Sequence, residues 1–277
     1  MIYMEDDEIL KKITYAFSSL PFLEGIVLGG SRATGTASRS SDLDIGIYYR
    51  KKTVDFSRLN QVASDLDDEH RGPLIGPEGD WGRWVNCGGW LKIGGLPVDL
   101  ILRDLDRVEQ IIHASDQGNF SPHYQTGHPH AYLDIMYRGE LAASKVLYAP
   151  GDDFCRLKRQ AEQYPEPLRE SLISFFRFEA GFSCMLAKKS APQGDLYYVA
   201  GHLFRSVSAL NQVLFALNRT YCLNEKKAVR RIETFPKAPA RYARKVEEIL
   251  SLSPDSASEC IRRLEALCGE VDELAGE

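Results

Sequence analysis

The spacing of apolar residues changes twice along the chain. Over residues 5–20 they fall at Ile9, Leu10, Ile13, Phe17 and Leu20, the period of an amphipathic helix, which Pro21 ends. Residues 25–28, with β-branched Ile26 and Val27, then predict a buried strand. Residues 42–49 alternate, which predicts a second strand with Leu43, Ile45, Ile47 and Tyr49 on its packed face. Asp42 and Asp44 share the other face, and Gly46 beyond them leaves it open. Helical spacing returns over 55–68, through Phe56, Leu59, Val62 and Leu66.

The middle of the chain is different in kind. Residues 71–95 are rich in glycine and hold all three tryptophans, Trp81, Trp84 and Trp90. Short strands are expected over 83–86 and 89–93, with Gly94-Gly95 as a hairpin turn and a further strand over 97–102. Two readings of this region stand. It is a twisted hairpin with aromatic packing, or Trp81, Arg83, Trp84 and Asn86 line a pocket where a base or acceptor stacks. Asp99 is an acid inside an apolar strand, which needs a reason. A helix capped by Asp104 should cover 104–115, a loop 123–130, a helix 132–143 and an edge strand 145–148.

Pro150-Gly151 is the expected domain boundary, because strand signals vanish beyond it. Helical periodicity then fills 168–189, 195–218, 237–252 and 255–274, the pattern of a bundle. The sequence therefore predicts an α+β protein: residues 1–150 as a mixed sheet with flanking helices, residues 151–277 as an all-α domain.

Between these elements lies the stretch that carries chemistry. Gly29-Gly30-Ser31-Arg32-Ala33-Thr34-Gly35 follows the first strand directly, and Ser41-Asp42-Leu43-Asp44 opens the second. Paired glycines let the backbone approach a ligand closely, and a turn of N–H groups with the Ser31 hydroxyl suits phosphate oxygens. Two carboxylates on one strand face can share a hard divalent cation such as Mg²⁺.

This G-G-S-R-x-x-G followed by S-D-L-D resembles the signature of the nucleotidyltransferase superfamily that includes DNA polymerase beta. It looks most like the small bacterial branch of antibiotic and minimal nucleotidyltransferases. The resemblance implies that Gly29, Gly30 and Ser31 hold the β and γ phosphates of a nucleoside triphosphate, with Arg32 adding a charge-assisted contact. It implies that Asp42 and Asp44, joined by Asp99 from the later strand, are catalytic and bind two Mg²⁺ ions. It also implies that a basic side chain from the helical half, Lys226 or Lys227, reaches the triphosphate. The expected reaction moves a nucleoside monophosphate, AMP from ATP, to a hydroxyl of a small molecule of aminoglycoside or lincosamide type, with pyrophosphate released. Such a role would make the protein an antibiotic-resistance enzyme. AMP modification of a protein, or a nucleotide-binding interaction module without chemistry, are the alternatives.

Composition narrows the partners. A net charge of −5 argues against a dedicated nucleic-acid binder. Six scattered cysteines without C-x-x-C suggest reduced thiols, and no apolar run has the length of a membrane span, so a cytoplasmic protein is expected. His123, His128 and His130 lack a fourth ligand at a zinc-like interval and read as loop residues that could meet the nucleotide or acceptor. Glu140 is a candidate for activating the acceptor hydroxyl, against the plainer reading of a solvated helix acid. Eight basic residues between Lys226 and Lys245 read as a solvated helical face.

Overall fold

The computed structural model describes residues 4–35, 37–38 and 41–276. In chain order it runs α1 (Met4–Ser18), β1 (Leu23–Leu28), α2 (Gly30–Thr34), β2 (Leu43–Tyr49) and α3 (Phe56–Leu66). There follow β3 (Cys87–Ile93), β4 (Leu96–Asp104), α4 (Leu105–Asp116) and the two-residue strands β5 (Pro122–His123) and β6 (Tyr132–Leu133). Next come α5 (Met136–Ala143), β7 (Lys145–Tyr148) and α6 (Asp152–Glu162). The remainder is helical: α7 (Glu166–Ser190), α8 (Leu196–Leu217), α9 (Ala228–Ile232), α10 (Tyr242–Leu250) and α11 (Ala257–Gly276). The α+β class and the helical second half are those the sequence predicts.

The chain forms two compact units. One holds the described residues up to His113 together with Leu133–Gln163; the other holds Ala114–Tyr132 and Tyr164 onward. Pro150-Gly151 lies inside the first unit, because α6 packs on the sheet. Its Phe154 ring fills the space a side chain at Gly25 of β1 would need, with a Cβ there only 2.5 Å from the ring. The same ring meets Tyr48 edge-on at 5.0 Å. The charged residues Arg156, Lys158 and Arg159 hide the apolar stripe of α6 from a periodicity reading. Lys158 is itself buried, donating to the Ala142 carbonyl at 2.9 Å.

The five-stranded sheet has the order β3-β4-β2-β1-β7. Only β2 and β4 run parallel; the other neighbours are antiparallel. Leu43, Ile45, Ile47 and Tyr49 are fully buried, joined by Val98, Leu100 and Leu102 of β4 and by Ile13 and Phe17 of α1 and Leu59 and Ala63 of α3. The alternation in the sequence thus becomes one helix-covered face. Gly94 and Gly95 form the two-residue hairpin loop with φ +57° and +79°, the left-handed pair that fits strand twist.

Residues 83–86 are not a strand. Asn86 takes φ +75°, and its N–H closes a turn onto the Gly82 carbonyl at 2.9 Å. Its buried amide donates to Tyr49 Oη at 2.9 Å and to the Leu102 carbonyl at 3.2 Å. In the second unit the helix expected from residue 237 starts at Tyr242, because Pro239 disfavours helical backbone before it. All six cysteines are free, and no helix among the described residues is long and apolar enough to cross a membrane.

Candidate functional site

The glycine-rich stretch is a single helical turn, α2, which Gly29 caps and which ends at Gly35 in the left-handed region, φ +75°. The Gly29 N–H bonds the Asp44 carbonyl at 2.8 Å, which fixes the turn to β2. Gly30 has φ +58°, and a Cβ there would lie 1.7 Å from Asp44 Oδ2. Glycine is therefore required twice, by backbone conformation and by the carboxylate that occupies the side-chain space. Ser31 is half-buried at the start of α2, whose first N–H groups have no acceptor within the helix.

Arg32 has a different position from that of a phosphate ligand at a surface. It is almost completely buried, paired with Asp6 of α1, and donates to the Ser41 carbonyl at 2.6 Å and the Asp42 carbonyl at 3.2 Å. Those bonds tie α1, the turn and the entry to β2 together, so its guanidinium positions Asp42 through the backbone. Asp6→Ala should cost about 3–5 kcal/mol of unfolding free energy, because it leaves a buried guanidinium without its counter-charge. Chemical denaturation checks this; a loss under 1 kcal/mol would show that the carbonyls alone hold Arg32.

Asp44 and Asp99 share the sheet face opposite Leu43, Ile45 and Ile47, and Asp42 lies near enough for its charge to act on Asp99. Asp44 of β2 pairs directly with Asp99 of the parallel strand β4, and Asp42 precedes Asp44 by two residues. Asp42 is exposed, Asp44 and Asp99 half-buried. Burial raises the Asp99 carboxyl above its usual range, and the nearby Asp42 charge raises it further. A carboxyl raised on folding stabilises the fold only below its unfolded value near 3.9; that stability is lost as pH rises through the folded value. Asp99→Asn should therefore raise the melting temperature at pH 7 in EDTA, and the gain should shrink as pH falls toward about 4. Melts at both pH values test this, and a lower melting temperature at pH 7 would contradict it.

Gly46 does not leave the face open: a Cβ there would meet Val27 Cγ2 at 2.7 Å, so the glycine admits a β1 side chain. Farther along the same face Arg103 donates to both Glu140 oxygens, at 2.8 and 3.0 Å. Glu140 is thereby held in an ion pair with a nearly buried guanidinium. Trp84 lies under the guanidinium groups of Arg83 and Arg107, 5.8 and 5.5 Å from the ring centroid, and Asn86 is buried in its turn, as the packing reading of this region has it. What that reading missed is Trp90, which pairs with Asp99 across the hairpin and is 62% exposed. The signal was in the sequence: counting back from the two-residue Gly94-Gly95 turn sets Trp90 opposite Asp99.

Lys226 belongs to the second unit, where it is exposed and its N–H bonds Asn224 Oδ1 at 2.8 Å. The histidine loop belongs there too. His130 Nε2 lies 3.1 Å from Glu179, His128 Nδ1 lies 3.3 Å from Glu225, and the His130 N–H also bonds Glu225 at 3.0 Å. Of the basic run, Lys245 pairs with Glu270 and Arg244 with Glu248. Among the described residues, no three His, Cys, Asp or Glu side chains converge as a ready-made metal cluster.

Comparison with known proteins bears on this geometry. Residues 10–120 match the family model of the nucleotidyltransferase domain. No curated protein sequence matches the chain. Among solved structures, a nucleotidyltransferase-like protein from Exiguobacterium sibiricum 255-15 is 11% identical with a TM-score of 0.47, covering 97% of this chain and 73% of its own. A spectinomycin adenyltransferase from Enterococcus faecialis, crystallised with ATP and spectinomycin, is 13% identical with a TM-score of 0.36, covering 97% and 98%. The matched segment contains the glycine turn and all three aspartates, so residues 10–120 of this chain match a nucleotidyltransferase domain.

Proposed function

We propose that the protein transfers AMP from ATP to a hydroxyl of a small molecule and releases pyrophosphate. The observation that carries this reading is the pairing of Asp44 with Asp99 on adjacent parallel strands, with the Gly30 turn set against the Asp44 carboxylate. In the reaction a hydroxyl oxygen forms a bond to the α-phosphorus. The bond from that phosphorus to the bridging oxygen breaks, and pyrophosphate leaves with the electron pair.

Each group in the site then has one task. The backbone of Gly29 and Gly30 and the Ser31 hydroxyl hold the β and γ phosphates. Arg32 keeps the strand entry in place through the Ser41 and Asp42 carbonyls. Asp99 takes the proton from the attacking hydroxyl.

Mg²⁺ is implied by the domain family, and the donor set suits it. Asp42, Asp44 and Asp99 offer only carboxylate oxygens, as a hard cation prefers, and the burial and the Asp42 charge that raise the Asp99 carboxyl are what a bound cation would offset. When bound there, Mg²⁺ would supply charge neutralisation for the triphosphate and the departing pyrophosphate. Everything else is alignment by the chain's own groups, which is the main resource of phosphoryl chemistry.

The test of the acceptor class is pyrophosphate release from ATP, GTP, CTP and UTP, with spectinomycin, kanamycin and lincomycin as acceptors. Acceptor-dependent release with ATP that Asp42→Ala abolishes is the expected result. Release that proceeds equally without any small acceptor, with the label found on protein, would replace this reading with protein AMP modification. Nucleotide binding without release from any of them would replace it with a non-catalytic module.

A further inference from the structure

Three neighbouring strands and one turn place four residues in a row on the carboxylate face. Trp90 of β3 pairs with Asp99 of β4, Asp99 pairs with Asp44 of β2, and the Gly29 N–H bonds the Asp44 carbonyl. Directly paired residues point to the same side of a sheet, so the row reads indole, carboxylate, carboxylate, glycine turn.

The indole is held in place although it is exposed. Its ring lies on that of Trp81 with centroids 4.7 Å apart and planes at 23°. Trp81 in turn occupies the space above Gly88, where a Cβ would come within 2.5 Å of its ring. The Trp81 N–H bonds the carbonyl of Asn86 at 2.9 Å, and that residue is anchored in the core by its side chain. The result is a flat, pre-organised apolar surface beside three acids. Core packing accounts for Trp81 but not for a partner that is 62% exposed.

The geometry of displacement assigns it a task. Attacking and leaving oxygens lie in line through the phosphorus. With pyrophosphate on the Gly29–Ser31 side and the phosphorus at the carboxylates, the attacking hydroxyl comes from the β3 side. Resting on the transfer reading above, we propose that the Trp81–Trp90 pair is the acceptor platform. It takes the apolar face of a hydroxylated saturated ring, a sugar or cyclitol, and directs one ring hydroxyl to Asp99. An indole face suits such C–H surfaces, and an ammonium group on the ring adds cation–π attraction that the neighbouring acids reinforce.

The test is ¹⁹F NMR of the full chain labelled with 5-fluorotryptophan. Its three signals are assigned by Trp81→Phe, Trp84→Phe and Trp90→Phe. Spectinomycin, kanamycin and lincomycin are titrated singly to about 10 mM, with and without Mg²⁺ and α,β-methylene-ATP. At least one ring compound should shift the Trp90 and Trp81 signals saturably while the Trp84 signal, under its two arginines, stays still. Trp90→Ala should then weaken that ring compound about tenfold and leave the affinity for the nucleotide analogue unchanged. The proposal is overturned if none of the ring compounds moves the Trp90 signal. It is equally overturned if the nucleotide analogue alone moves that signal fully and blocks the ring compounds, which would make the pair a base-stacking site. Failure of the transfer reading shows separately, as absent binding of the nucleotide analogue, since the ring titration is also run without it.

Discussion

Asp44→Asn should lower pyrophosphate release by roughly 10³-fold or more, beyond the usual loss from deleting one donor to a transition state, without loss of stability. Asp44 stands at the centre of the row, between Asp99 on the next strand and the Gly30 turn. Removing its charge takes away one of the three acids that would neutralise a cation. The glycine turn stays tied to the strand, because Gly29 bonds the Asp44 backbone carbonyl, which the substitution keeps. The fold should lose no stability, because burial holds the neighbouring Asp99 carboxyl above its usual range and the Asp42 charge raises it further, so removing another negative charge from this face is favourable. The expected signature is a dead enzyme with an equal or higher melting temperature, read by pyrophosphate assay and thermal denaturation. Activity within tenfold of the parent would remove Asp44 from the catalytic set.

Gly30→Ala should act on function through geometry alone. The new Cβ would lie 1.7 Å from Asp44 Oδ2 and 2.5 Å from its Cγ, so the carboxylate or the turn must move by more than an ångström. A misplacement of about 1 Å is enough to cost on the order of 10² in rate where alignment is the main resource. The positive φ of Gly30 adds roughly 1–2 kcal/mol of backbone strain. Gly35→Ala is the matched control. It carries the same kind of strain at φ +75°, but its Cβ has no heavy atom within 4 Å. Steady-state rates of the two variants should therefore differ by at least tenfold, with Gly30→Ala also the less stable of the two. Equal rates would mean that strain, and not the Asp44 contact, explains the glycine.

The carboxylate-bearing face was legible in the sequence for a simple reason: a period of two fixes which residues share a side. Asp42 and Asp44 opposite Leu43, Ile45 and Ile47 required no tertiary information, and the core holds those apolar residues as expected. The hairpin was legible because a Gly-Gly pair takes two successive positive φ values without steric cost. Arg32 was not. A guanidinium beside a phosphate-type turn reads as a ligand, and its partner Asp6 lies 26 residues away on another element. Helix α6 was hidden by charged residues, one of them a lysine that buries its stem and caps a carbonyl. The pairing of Trp90 with Asp99 followed from the turn by counting, but its importance shows only when β2 is seen to lie on the far side of β4.

The most direct test of nucleotidyl transfer is to ask which phosphorus–oxygen bond breaks. ³¹P NMR of the full chain with Mg²⁺, ATP and the three ring acceptors follows every phosphorus at once. The account predicts pyrophosphate and a phosphodiester signal of an AMP conjugate growing in equal amounts, both absent with Asp44→Asn. ADP with orthophosphate, or ATP that stays intact while bound, would contradict it.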